Sequence, residues 1–221
     1  MAERAMTLYY FPRACSLAPH IIIEESGYSY QRVLVDLRTA SNKGSDYLSL
    51  NPLGAIPTLS VGNWVLTETH SILTYLGDTA PNGPMLPAIG SPDRYIAHQW
   101  MNFLSSSIHT YIRSIFRPSA YAPADDLSAQ AAVRKTGRSN LVRAVESLES
   151  RLTGSDWTLG DTYSAVDAYM FIMYLWSDDD RIGITLDRPK WADVAKRVWQ
   201  RSAVKNIVAV EQKDRDFVIP F

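Results

Sequence analysis

The segment Pro81-Asn-Gly-Pro-Met-Leu-Pro-Ala-Ile-Gly-Ser-Pro92 places four Pro and two Gly in twelve residues, and it divides this 221-residue chain into two parts that read differently. Pro lacks the amide donor and fixes its own backbone angle, so neither a helix interior nor a central strand runs through such a stretch. Before it, strand-like and helical runs alternate. Thr7–Phe11 is a strand candidate, Ser16–Ser26 carries Leu17, Ala18, Ile21 and Ile22 at helical intervals, and Gly27 closes that helix. Tyr30–Leu37 returns to strand character, and a short helix is expected around Asp46–Leu50. Pro57–Ser60 and Trp64–Thr67 flank Gly62-Asn63 as a hairpin, and a helix over His70–Thr79 follows. The order β-α-β then β-β-α predicts a small mixed α/β sheet with helices on its faces.

Beyond Pro92 the strand signal fades. Helical patterns run over Asp93–Arg117, Leu127–Leu152, Ala165–Ser177 and Trp191–Asn206, which predicts an all-α bundle. Ser164-Ala-Val-Asp167 is spaced as a capping box, and the following Ala168–Trp176 is apolar on every side, as a helix in the middle of a bundle is. That run is also the longest apolar one and falls well short of the roughly 20 residues a membrane span needs. Met1–Ala5 opens no apolar leader, so a cytoplasmic location is expected. With 22 Lys+Arg against 23 Asp+Glu there is no cationic excess to attract nucleic acid. A single Cys, Cys15, excludes an intramolecular disulfide, so thiol chemistry here needs an external thiol.

Cys15 stands in Tyr10-Phe-Pro-Arg-Ala-Cys-Ser16, after a strand and at the start of a helix. The positive end of the helix favours a thiolate there and Arg13 adds to it, while an inert, buried cysteine is the equal alternative. Ile56-Pro57 precedes a strand, where a cis bond would turn backbone groups outward for an extended ligand, although trans is the commoner state. Thr67-Glu-Thr-His-Ser71 leads a strand into a helix: Glu68 suits an ammonium and the hydroxyls and amides a carboxylate, or the segment simply caps the helix. At 100° per residue His98, Asn102, Ser105 and His109 share one helix face, which Arg113 extends. His98 and His109 stand about 16 Å apart along the axis, too far to share a metal ion. Ser177-Asp-Asp-Asp180 reads as a solvated loop, and no phosphate-binding glycine loop or G-x-S-x-G elbow is present.

Taken together, Y-F-P-R-A-C-S, D-Y-L-S-L-N-P-L-G-A-I-P-T-L, L-T-E-T, Q-W-M-N-F…H and S-A-V-D-A-Y-M-F resemble the cytosolic glutathione transferases, the bacterial beta class above all, over roughly residues 6 to 200. The resemblance implies a thioredoxin-like domain over residues 1–80, a linker over 81–92, an all-α domain over 93–221, and a homodimer. It implies a cis Pro57 with Ile56 pairing the cysteinyl backbone of glutathione, and Glu68 and Thr69 on the γ-glutamyl end. Arg38 or Lys43 would meet the glycyl carboxylate, and Asn102 the dimer-side edge. Cys15, Ser16 and His109 would surround the glutathione sulfur, with the helix terminus, the Ser16 hydroxyl and His109 stabilising its thiolate for attack on a small apolar electrophile. Phe11, Tyr111, Phe116 and Trp176, between the two parts, are the expected substrate pocket. No metal is expected. A bacterial detoxification enzyme is the leading reading. Its rivals are Cys15-based disulfide reduction, reductive dehalogenation or ether cleavage, and a non-catalytic carrier of hydrophobic ligands.

Overall fold

A computed structural model describes residues 5–184 and 188–221. The stretch read for a leader, Met1 to Ala5, lies outside the described residues except for Ala5. The first part is a four-stranded sheet of order β2-β1-β3-β4, formed by β1 (Met6–Tyr10), β2 (Gln31–Leu34), β3 (Thr58–Val61) and β4 (Trp64–Thr67). β1 pairs parallel with β2 and antiparallel with β3, and β3 pairs antiparallel with β4 around Gly62-Asn63. Strand alternation sorts β1 onto two faces. Met6, Leu8 and Tyr10 are buried toward α1 (Leu17–Ser26), where the Tyr10 ring meets His20 at 5.1 Å. Tyr9 points the other way, to Tyr47 of α2 (Ser45–Leu50), at 5.8 Å. Gly27 ends α1 in the left-handed region that a glycine adopts without a Cβ clash, at φ 72°.

β2 is shorter than Tyr30–Leu37. Past Leu34 the chain makes one more bond to β1, Val35 N–H to the Tyr10 carbonyl, and then turns on Asp36. The Asp36 carboxylate accepts from the Arg38 N–H and guanidinium, and its carbonyl accepts from the Ser41 N–H, a local competitor that ends the ladder.

α3 (Thr69–Thr79) follows β4 and packs against α1. The proline-rich segment is irregular as predicted, yet pinned: Met85 N–H bonds the Gly77 carbonyl, Ala165 N–H bonds the Met85 carbonyl, and buried Leu86 lies against Gly77. The remaining described chain is helical: α4 (Pro92–Phe103), a π-helical turn over Leu104–His109, α5 (Thr110–Phe116), α6 (Leu127–Arg151), α7 (Ala165–Ser177), α8 (Pro189–Gln200) and α9 (Ser202–Gln212). Buried α7 is the axis of the bundle and packs on both α1 and α8. Its start is the capping box read in the sequence: buried Asp167 accepts from Ser164 N–H and Oγ and from Thr158 N–H.

Two helices depart from expectation. The run Asp93–Arg117 contains the π turn, whose extra residue rotates everything after it by about 100°. The expected single helix over Trp191–Asn206 is two, broken at Arg201, which is extended (φ −70°, ψ 134°). Its guanidinium makes a two-point contact with Glu25 of α1 and covers the Tyr163 ring at 3.9 Å, so a contact across the molecule sets the break.

Candidate functional site

The turn between β1 and α1 carries Cys15. Ala14 N–H bonds the Phe11 carbonyl and Leu17 N–H the Ala14 carbonyl, so two tight turns lift the chain from the sheet before α1 begins. The Cys15 thiol is buried and donates to the Ile56 carbonyl at 3.2 Å, and the Ile56–Pro57 peptide is cis. A hydrogen bond with the Thr69 side chain also reaches the thiol. Thus three segments remote in sequence, the Cys15 turn, the segment before β3 and the start of α3, meet at one sulfur. Glu68, at φ 68°, and Thr69 open α3 beside it; Glu68 is exposed and Thr69 buried.

The expected thiolate is not what this environment favours. Burial pushes the Cys15 thiol up to about 11, more than Thr69 and the amides of Cys15 and Ser16 pull it down. Cys15 is therefore a protonated donor at neutral pH. Ser16 also departs from its expected role. Its fully buried hydroxyl accepts from the Phe11 N–H at 3.2 Å and donates to the Phe11 carbonyl at 3.1 Å, so it braces the turn and is not free for a ligand's sulfur.

The polar face expected on the helix after the linker is split by the π turn. His98 and Asn102, before it, join His70: His70 Nδ1 meets Asn102 Oδ1 at 2.9 Å, and His70 Nε2 meets His98 Nδ1 at 2.8 Å. Arg94 Nε donates to His98 Nε2, and its terminal nitrogens grip Asp78. Because Arg94 always donates, His98 Nε2 accepts; the proton then lies on His98 Nδ1, and each imidazole passes one hydrogen bond along to Asn102. Burial lowers the pKa of both rings, in keeping with neutral imidazoles. Ser105 turns to the Tyr169 hydroxyl at 3.1 Å. His109 packs edge-on against Trp176, with ring centres 5.1 Å apart, and burial followed by the Arg113 charge brings its pKa down to about 4. A neutral N–H donor, not a cation, is what His109 offers.

Of the four pocket candidates, Trp176 and Phe11 flank the Cys15 turn. The Trp176 indole donates to the Arg13 carbonyl at 2.8 Å, and the buried Phe11 ring lies under the Arg38 and Arg215 guanidinium groups. Phe116 lies beneath Arg181, whose partner Asp179 also meets Arg13. Tyr111 instead lines a cavity of about 290 Å³ with Phe103, Ser107, Asn140, Arg143 and Ala144. A larger hollow of about 490 Å³ lies at the α3–α4 face, between Trp64, Leu66, Tyr75 and His98. Its breadth is not a measure of chemistry, for the convergence of groups is at Cys15. Arg38 is exposed and bonded to Asp36, whereas Lys43 Nζ lies 3.3 Å from where a Cβ on Gly54 would be, two residues from Ile56. The residue that sequence reasoning missed is Tyr169: buried in α7, its hydroxyl bonds Ser105 and interacts with Thr69 and Cys15. Its hydroxyl is one of two in the apolar run Ala168–Trp176, with that of Tyr174, so the pattern alone did not single it out. Among the described residues no group of three His, Cys, Asp or Glu side chains is arranged to hold a metal ion, and no helix is long and apolar enough to cross a membrane.

Residues 4–78 match the glutathione S-transferase N-terminal domain. A glutathione S-transferase of Xanthomonas campestris pv. campestris is 35% identical over 176 residues, 78% of this chain and 82% of that protein. A glutathione transferase homologue from Sulfitobacter, solved with bound glutathione, superimposes with a TM-score of 0.84 at 30% identity, covering 95% of this chain and 98% of the other. A bacterial beta class glutathione S-transferase of Sphingomonas chungbukensis gives 0.79 at 30% identity, covering 93% and 98%.

Proposed function

Since this chain belongs to the glutathione S-transferase family, we propose that it conjugates the thiolate of glutathione to small apolar electrophiles, using the groups gathered at Cys15. The observation that carries the reading is the meeting of the Cys15 thiol, the Ile56 carbonyl and Thr69 at one point, where the backbone at Ile56 offers an edge to an extended thiol peptide. In this reading Ile56 beside cis Pro57 pairs with the cysteinyl unit, and Glu68 and Thr69 take the γ-glutamyl ammonium and carboxylate. Lys43 is better placed than Arg38 for the glycyl carboxylate, because Arg38 is engaged by Asp36. Asn102, with the His70 network, edges the site toward a second copy.

The chemistry follows from what each group holds. The glutathione thiol loses its proton to solvent. On binding, the protonated Cys15 turns its one S–H from the Ile56 carbonyl to the resulting thiolate, neutral His109 supplies a second donor, and the sulfur attacks the electrophilic carbon while a leaving group such as halide departs. In this reading Trp176 and Phe116 offer the electrophile an apolar surface, Phe11 is buried in the Cys15 turn, and Tyr111 lines the separate cavity of about 290 Å³. Because Cys15 is held protonated, its own disulfide chemistry is disfavoured. The hollow at the α3–α4 face, with exposed Val65 and Ile96 near it in sequence, supports docking of a second copy there. A cytoplasmic detoxification role in a bacterium accords with this chemistry.

Calorimetric titration with glutathione, followed by turnover of an aryl chloride by the wild type and by Cys15→Ala, tests the proposal. Binding below millimolar glutathione, with conjugation retained within about tenfold in Cys15→Ala, is expected, since one hydrogen bond to a charged group is worth about 1.5 kcal/mol. Absence of binding at millimolar glutathione would sink it. Disulfide reduction by the wild type that is lost in Cys15→Ala, with no conjugation by either protein, would transfer the assignment to Cys15 redox chemistry.

A further inference from the structure

Arg13, two residues before Cys15, has φ 59°, a conformation L-residues rarely adopt and one that surrounding contacts must impose. It is the third residue of the turn that Ala14 N–H closes on the Phe11 carbonyl, and its further contacts come from the helical part of the chain. The Glu211 carboxylate accepts its N–H at 3.0 Å, the Trp176 indole donates to its carbonyl at 2.8 Å, and its guanidinium reaches the Leu175 carbonyl and Asp179. Trp176, Leu175 and Asp179 belong to α7 and the turn after it, while Glu211 comes from the last turn of α9, almost 200 residues away. Glu211 is itself fully buried. Its second oxygen meets His20 Nδ1 at 2.7 Å, with both side chains at 0% exposure, and His20 Nε2 meets the Tyr30 hydroxyl at 3.0 Å. One turn further on, Asp214 accepts from the Tyr10 hydroxyl at the end of β1.

A buried carboxyl–imidazole contact is a poor device for stability alone, because desolvation offsets most of its attraction. This one is spent on a single main-chain amide next to the reactive turn. The geometry points to Glu211 as a positioning residue: anchored on His20, it holds the Arg13 peptide in its left-handed state and so fixes where the Cys15 thiol and the following amides lie. The helix α9 thereby governs the reactivity of a sulfur it does not touch. Only the kinetic arm of the test rests on the transferase reading.

The test compares three full-length variants with the wild type. Glu211→Gln keeps the shape but exchanges a carboxyl group with two acceptor oxygens for an amide with one. His20→Leu with Glu211→Leu removes both partners without leaving a buried charge. Val208→Ala, buried on the same helix, opens a small cavity without touching the clamp. Two quantities are read: the rate at which a disulfide reagent of the dithiobis-nitrobenzoate type modifies the lone Cys15 across pH 7 to 9, and kcat and KM for glutathione with an aryl chloride. For Glu211→Gln a fivefold rise in Cys15 modification is expected, with a fivefold fall in kcat and KM changed less than twofold; the double variant should move both further, and Val208→Ala neither. The inference is overturned if Glu211→Gln, or a folded double variant, keeps both rates within twofold of wild type, or if Val208→Ala changes them equally. A wild type that neither binds nor turns over glutathione defeats the transferase reading, and the Cys15 modification rates then decide the clamp on their own.

Discussion

Replacing His109 by Gln removes one titrating group from the protein and gives a measurable change in how stability depends on pH. In the folded chain burial and Arg113 hold His109 near 4, while an unfolded histidine titrates near its ordinary 6.5. Below pH 6.5 the unfolded chain therefore binds a proton that the folded chain refuses, and stability falls as pH drops. For one group with these values the loss between pH 8 and pH 5 is about 2 kcal/mol, approaching about 3.4 kcal/mol once pH falls below 4. His109→Gln carries no such group, so its stability curve should fall less steeply by that amount. Urea unfolding of both proteins at pH 8, 6.5, 5.5 and 5 measures it directly. Any constant offset between them reports packing against Trp176 and is irrelevant; the difference must grow toward acid. Parallel curves between pH 8 and 5 would show that His109 titrates normally in the folded protein, and would remove the neutral-donor role assigned to it.

Gly137 on α6 sits so close to α5 that an added Cβ would lie 2.0 Å from Ser114 Oγ and 3.3 Å from the Tyr111 carbonyl. Gly137→Ala should destabilise by about 1 to 3 kcal/mol despite the roughly 1 kcal/mol it gains in helix propensity, with Ser114→Ala restoring part of the loss in thermal unfolding. Asp167→Asn replaces a buried carboxylate that accepts from Ser164 and Thr158 by an amide with one acceptor, and should cost about 3 kcal/mol, a drop of roughly 6 to 12 °C in melting temperature. With its thiol pushed up to about 11 from 9.0, Cys15 should react with iodoacetamide at pH 7.5 about a hundredfold more slowly than an unperturbed cysteine; a rate equal to that of free cysteine would contradict the burial argument.

What was legible in the sequence was whatever local pattern decides. The Gly62-Asn63 hairpin, the Gly27 terminus, the capping box at Ser164 and the apolar all-round helix after it each carry their cause within a few residues. The early end of β2, the break at Arg201 and the π turn do not: the first is set by a side-chain turn at Asp36 and the second by Glu25 of a distant helix, while no glycine or proline announces the π turn at Leu104–His109. The site shows the same division. Cys15 could be picked out by its place after a strand and before a helix. Its protonation state could not, because the desolvation that sets it comes from the whole fold, and Ser16 was misread because its partner is the backbone of its own turn. Glu211 was invisible for a simpler reason, since nothing in a carboxylate near the end of a chain shows that it reaches residues 13 and 20.

The π turn at Leu104–His109 also bears on how positions are equated between this chain and any protein whose corresponding helix is regular. One residue more in a turn means that counting along the helix keeps step up to Phe103 and is out by one from Thr110 onward, unless a single-residue gap is placed inside 104–109. Superposition of backbones absorbs that offset, whereas alignment by residue count moves it silently downstream, onto Thr110 and every position after it until the next loop.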